Sequence, residues 1–137
     1  MYDISQVQSE YKTKLIDADF AASLVKSNYR LHFGVGTGSS IYMDRALGKR
    51  LKTDTLLRGL EIQTEVAVRN ELLETFKATR DVNTVRFYSS HYTAMDRMMA
   101  DAGNCWYVPI LFNEEPLYWG QEGNGFDICC IQVAPMD

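Results

Sequence analysis

The chain has 137 residues, 46% of them hydrophobic and 23% charged, proportions that suit one folded domain and exclude a disordered, collagen-like or highly charged tail. A net charge of −4 offers no basic surface to nucleic acid or an anionic membrane. No apolar run approaches the roughly 20 residues that cross a bilayer.

The opening, Met1-Tyr2-Asp3-Ile4-Ser5-Gln6, has neither a basic nor an apolar leader region, so no secretory signal is expected and the cytoplasm is the expected compartment. An odd number of cysteines (Cys105, Cys129 and Cys130) in such a chain favours free thiols over a disulfide framework. The segment with Tyr11 and Leu15 suggests a short leading helix. Asp17 is positioned to cap a helix over 18–26 that would bury Phe20, Ala21, Leu24 and Val25. Leu31 to Val35 reads as a strand, and Ser39 or Ser40 is placed to cap the next helix, where Met43, Ala46, Leu47 and Leu51 recur at helical spacing. Ile62–Val68 and Val85–Tyr88 are further strands. Thr93-Ala94-Met95-Asp96 has capping-box spacing with Asp in place of Glu; Met95, Met98, Met99 and Ala102 would be the buried face and Gly103 the stop.

Trp106–Phe112 and Ile128–Val133 are apolar at nearly every position, the pattern of strands buried on both faces of a parallel sheet, and Asn113-Glu114-Glu115-Pro116 between them reads as a helix start. Alternating strands and helices imply an α/β fold, a mostly parallel open sheet with helices on both faces. The last strand looks central, yet Ala134-Pro135-Met136-Asp137 follows it where a strand-end loop would begin. Ligands of open α/β sheets lie beyond those strand ends. The expectation is therefore a single domain over 1–137, incomplete at its C-terminal end, whose unpaired apolar edge favours self-association.

Gly34-Val35-Gly36-Thr37-Gly38-Ser39-Ser40 follows a strand and opens a helix. Alternate glycines let backbone approach a ligand, and free N–H groups there suit an anion or developing oxyanion; a tight turn without a ligand is the plainer alternative. A dinucleotide fingerprint would need a glycine where Ser39 stands, and Glu61 lies at the wrong end of its strand for the acidic partner; no Gly-Lys-Ser/Thr supports a phosphate loop. Glu114-Glu115 lies at the edge where such sites form, and acid–base work competes there with simple stabilisation of a helix start. His32, inside a strand, reads as a core residue, whereas His91, at a strand end, is a candidate ligand contact. Two separated histidines make no metal site, and Cys129 and Cys130 point to opposite faces and read as buried apolar thiols.

Several segments, in order, resemble the amino-terminal part of the acetyl-CoA hydrolase/transferase family, especially its 4-hydroxybutyrate and butyrate:acetate CoA-transferase branch. They are Glu10 to Leu15 with Ala18-Asp19 and Leu24 to Ser27; Phe33 to Gly38 with Ala46-Leu47; Pro109 to Pro116, similar to Pro-x-x-Phe-Ser-Glu-x-Pro; and Phe126 to Asp137, similar to Val-Asp-Val…Ile-Gln-Val-Ser-Pro-x-Asp. The last is the most specific.

The resemblance implies a CoA-transferase half-domain that moves CoA between an acyl-CoA and a short-chain carboxylate of the acetate, butyrate or 4-hydroxybutyrate type. It implies a nucleophilic glutamate in a second half outside this chain, reacting through an anhydride to a glutamyl-CoA thioester, so that no residue here is the nucleophile. It further implies no metal or prosthetic group, CoA thioester as substrate, and a second half or subunit in a homo-oligomer. Gly34, Gly36, Gly38 and Ser39 would wall the acyl/CoA site, with His91 beside it and Glu114 as an orienting residue. The sequence departs from the family at Ser39-Ser40, where Glu-Pro or Ile-Pro is usual, and over Glu71 to Arg80. A non-catalytic binding or assembly domain with the same fold is the competing reading, and a nucleotide-binding oxidoreductase, short of its fingerprint, is a third.

Overall fold

A computed structural model describes residues 3–68 and 71–134. Five parallel strands form one sheet in the order β4-β3-β2-β1-β5, where β1 is Arg30–Val35, β2 Leu60–Glu65, β3 Val85–Ser89, β4 Trp106–Tyr107 and β5 Ile128–Cys129. The helices are α1 (Ile4–Lys14), α2 (Ala18–Ser23), α3 (Ile41–Thr53), α4 (Glu74–Ala78), α5 (Ala94–Asp101) and α6 (Glu115–Trp119), with a 3₁₀ turn at Gly36–Gly38. The expected α/β fold is present. No helix among the described residues is long and apolar enough to cross a membrane.

Strand alternation divides the sheet into unlike faces. Leu31, Ile62 and Phe87 are neighbours across β1, β2 and β3, and all are fully buried with Phe33, Leu60 and Val85. Onto this face pack Ala22 and Val25 from the α2 region, Met43, Ala46, Leu47 and Leu51 of α3, Leu73 and Ala78 at α4, and Met95 and Met99 of α5. The opposite face carries Cys129, His32, Gln63, Tyr88 and Trp106 in one register row. There α6 reaches the sheet through Trp119, whose ring lies 4.8 Å from Phe126, which in turn lies 5.0 Å from His32.

The expected caps form. Asp17 accepts the Phe20 N–H at 2.7 Å, and Ser40 rather than Ser39 caps α3 by accepting Met43 N–H. Asp96 completes the capping box by accepting Thr93 N–H at 2.7 Å. Its other oxygen accepts the Thr64 hydroxyl at 2.8 Å, which ties α5 to β2.

Other expectations need correction. Helix α2 stops at Ser23, not Lys26, because the Arg50 guanidinium takes the carbonyls of Ala22, Ser23 and Val25. In so short a helix only the Ala22 side meets α3, which leaves Phe20 and Leu24 exposed. Met98 is 43% exposed because α5 turns Met95 and Met99 inward instead, and Ala102 is an exposed cap. Strand β2 runs from Leu60 and stops at Glu65, since Val66 turns into the left-handed region (φ 43°). The two runs expected to be buried on both faces are short outer strands: Trp106–Tyr107 and Ile128–Cys129 each pair on one side only, and Leu111, Phe112, Ile131 and Val133 are exposed. Helix α4, in the stretch where the resemblance was weakest, was not anticipated; Asp44 of α3 holds its start by accepting Glu74 N–H, Thr75 N–H and the Thr75 hydroxyl. Pro135, Met136 and Asp137, which complete the most specific motif, lie outside the described residues.

Candidate functional site

The glycine turn leaves β1 through a bulge. His32 pairs with Gln63 but Val35 pairs with Glu65, so β1 holds one residue more than β2 over this stretch. Gly34 (φ 80°) sits in that bulge, where a Cβ would stand 2.5 Å from the Gly38 carbonyl oxygen and 3.0 Å from that of Cys130. The protein's own backbone therefore requires this glycine. Gly38 is crowded by Ile131, whose Cγ1 would lie 3.2 Å away. Gly36 differs: its φ is 57°, and among the described residues a Cβ would meet only Val68 Cγ2, at 3.9 Å. Among the described residues nothing crowds that side of Gly36, so it is where the turn's backbone is free to be approached. Ser39 is buried and forms an antiparallel bridge with Ile131.

Beneath the turn lies a cluster of polar side chains. Glu65, the last residue of β2, is 1% exposed. One face of its carboxyl meets His32, with Nε2 3.5 Å from Oε1; it also engages Ser90 and Glu115. The Ser90 hydroxyl donates to Glu115 Oε1 at 3.4 Å. His91 Nδ1 lies 3.4 Å from that hydroxyl and 4.0 Å from Glu115 Oε1. Burial acts to raise both carboxyls, but the partners split them: His32 holds Glu65 below the ordinary glutamate range, whereas Glu65 adds to burial in pushing Glu115 above it. Where the two carboxyls share one proton, these directions favour Glu115 as its holder and Glu65 as the acceptor.

The anticipated residues thus fall into three groups. Gly34, Gly36, Gly38 and Ser39 are together in the turn, and His91 stands at the mouth of the cluster. Glu114 is exposed and separate; it lines a cleft of about 360 Å³ with Val108, Ile110, Leu117 and Tyr118. Its neighbour Glu115 is the one that reaches inward. Glu65, Ser90, Glu115 and the inward role of His32 were not singled out as a group. The available signal was Glu65 itself, an acid at the centre of the Ile62–Val68 run that reads as a strand.

The thiols offer no competing chemistry. Burial pushes Cys105 up to about 12 and Cys130 up to about 11, and raises Cys129 as well. Cys129 is nonetheless exposed, contrary to the expected burial, because β5 lies at the sheet edge. Among the described residues, no group of three or more His, Cys, Asp or Glu side chains is placed to hold a metal.

The sequence profile of the acetyl-CoA hydrolase/transferase N-terminal domain matches residues 1–137. A butyryl-CoA:acetate CoA-transferase from Anaerostipes caccae is 30% identical over 130 residues, covering 95% of this chain and 28% of that protein. A probable butyrate:acetyl-CoA coenzyme A-transferase from Syntrophomonas wolfei is 29% identical over 128 residues, covering 93% of this chain and 27% of that protein. The crystal structure of RipA from Yersinia pestis matches 96% of the chain, and 31% of its own length, with a TM-score of 0.72 at 23% identity. The acyl-CoA transferase YdiF from E. coli O157:H7, in a thioester complex with CoA, matches 69% of the chain and 20% of its own length with a TM-score of 0.52 at 16% identity; at such identities both likenesses concern the fold. The chain spans less than a third of these relatives. It belongs to the acetyl-CoA hydrolase/transferase family, as its amino-terminal domain.

Proposed function

We propose that this domain forms one wall of a CoA-transferase site that moves CoA between an acyl-CoA and a short-chain carboxylate. The observation that carries this reading is the glycine turn at the carboxyl end of β1: among the described residues nothing crowds Gly36, while Gly34 and Gly38 are locked by close contacts. Such a turn suits a thioester oxygen or a carboxylate, whose charge is met by backbone N–H groups at no cost of reorganisation. The relatives named for butyrate and acetate transfer support acids of that size.

In this reading a glutamate from a second half attacks the thioester carbonyl. The C–S bond breaks, CoA leaves as thiolate, and a mixed anhydride remains. The thiolate then attacks the glutamyl carbonyl and releases the acyl group as carboxylate, giving a glutamyl-CoA thioester; an incoming carboxylate reverses both steps. No metal or prosthetic group takes part, and CoA enters only as substrate. The Glu65–Glu115 pair lies behind the turn and supplies neither nucleophile nor leaving group. The complete enzyme is a cytoplasmic homo-oligomer in this account, and Glu114, in its own cleft, orients the second half or the substrate.

Exchange between butyryl-CoA and acetate tests the proposal. The chain alone should show no transfer and no covalent CoA adduct by mass spectrometry. Joined to its second half, it should transfer CoA, and Gly36→Ala should lower turnover by roughly 10²-fold, the scale of one lost oxyanion contact. A CoA adduct on Glu114 or Glu115 of the chain alone, or unchanged kcat and KM in a folded Gly36→Ala enzyme, overturns it.

A further inference from the structure

His32 links the glycine turn to the buried carboxyl pair. The Gly34 N–H donates to His32 Nδ1 at 3.3 Å. A ring nitrogen that accepts such a bond carries no proton, so the imidazole proton is on Nε2. That nitrogen is the one 3.5 Å from Glu65 Oε1, an oxygen that is buried and without a hydrogen-bond partner among the described residues. The ring is held between these contacts by Phe126 at 5.0 Å.

We propose that His32 is a positioning residue that couples the Glu65–Glu115 pair to the glycine turn through the Gly34 amide. The coupling has a definite chemistry. A proton taken from water at Nδ1 turns an acceptor into a donor facing the Gly34 N–H. That bond is then lost, while the imidazolium is drawn toward Glu65. Gly34 is the bulge residue with no spare room, its Cβ position already within 3.0 Å of two carbonyl oxygens, so a change in its hydrogen bonding is passed to Gly36. The groups that set the balance are Glu65 on β2, Ser90 and His91 after β3, Glu115 on α6 and Cys129, in register with His32 on β5. The neighbouring Arg30–Glu61 ion pair, at 3.0 Å, neutralises the other end of this face.

The proposal rests on the glycine turn bounding the acyl site, so the experiment reads the turn apart from transfer. In the chain labelled with ¹⁵N-histidine and ¹⁵N-glycine, NMR at neutral pH should show His32 with an unprotonated Nδ1 and a protonated Nε2. On acidification the Gly34 amide should move with the same midpoint as the His32 ring. His32→Asn keeps an acceptor for the Gly34 N–H but no titrating ring, and should abolish the pH dependence of that amide. Glu65→Gln should move the common midpoint, whereas Arg97→Gln, on the exposed side of α5, should not. A proton on Nδ1 at neutral pH, or a Gly34 amide that titrates alike in all variants, overturns the proposal whatever the transfer assay gives. With the second half present, His32→Asn should flatten the acid limb of kcat/KM; an unchanged limb overturns the positioning role and leaves CoA transfer standing.

Discussion

Leu31, Ile62 and Phe87 stand side by side on one face of the sheet, and one residue further along each strand His32, Gln63 and Tyr88 stand side by side on the other. The first row is fully buried under helices. The second face is buried unevenly, and among the described residues Gln63 Nε2 and Glu65 Oε1 on it have no hydrogen-bond partner. Buried polar atoms without partners lower stability, so the packed apolar face carries the burial that favours folding. Structural support and candidate chemistry are separated by a single step of strand alternation, and a register slip by one residue would exchange them.

The sharpest way to break the contrast is to empty the apolar face. Phe87 is fully buried and its ring meets that of Phe76 at 5.4 Å. Phe87→Ala should cost about 3–5 kcal/mol, lost contact plus cavity, measured by urea denaturation with an unchanged m-value in what remains folded. A loss under about 1 kcal/mol would mean that this face does not carry the fold. Asp96→Asn tests the polar strut on the same face with a smaller effect. It replaces one acceptor oxygen at the Thr93 cap, or at Thr64, by a donor, and should destabilise by about 1–3 kcal/mol. Faster amide exchange confined to α5 would accompany it.

What the sequence revealed follows the same division. The apolar face was legible because its residues obey simple periods: Met43, Ala46, Leu47 and Leu51 on α3, and alternation through β1 to β3. The capping box was legible even with Asp96 as its acid, since only spacing and an acceptor matter. Residues Trp106–Phe112 and Ile128–Val133 misled because unbroken apolarity signals burial without saying what does the covering, and among the described residues nothing covers Phe112 or Val133. The glycine turn was legible as a turn, but its division into two locked glycines and one open one depends on Cys130 and Ile131, about a hundred positions away in sequence. The carboxyl cluster was hidden for the same reason. Glu65, Ser90 and Glu115 come from three separate segments, and only their strand ends bring them together. Of the two adjacent acids, helix α6 turns Glu115 inward and leaves Glu114 out, which no local spacing distinguishes.

The smallest predicted effect has the opposite sign, and so sharpens the contrast most. Burial first, and then Glu65, raises Glu115 above the ordinary glutamate value of 4.5. A carboxyl raised in the folded state favours folding while protonated. That contribution is complete below about pH 4.5 and is lost as pH climbs through the raised folded value. Near neutrality the wild-type protein either holds that proton against solution or buries a second negative charge beside Glu65. Glu115→Gln is neutral at every pH and keeps an oxygen for the Ser90 hydroxyl. It should therefore be more stable than wild type at pH 7–8, by up to about 1 kcal/mol, with the gain vanishing below about pH 4.5. Glu65→Gln should do the reverse, because Glu65 is lowered by His32 and contributes above the ordinary range. Thermal melts of the three proteins from pH 4 to pH 8 decide it. If Glu115→Gln were destabilising at pH 8 and the loss disappeared in acid, the proton would be assigned to the wrong carboxyl, and the polar face would owe its charge balance to Glu115 rather than to Glu65.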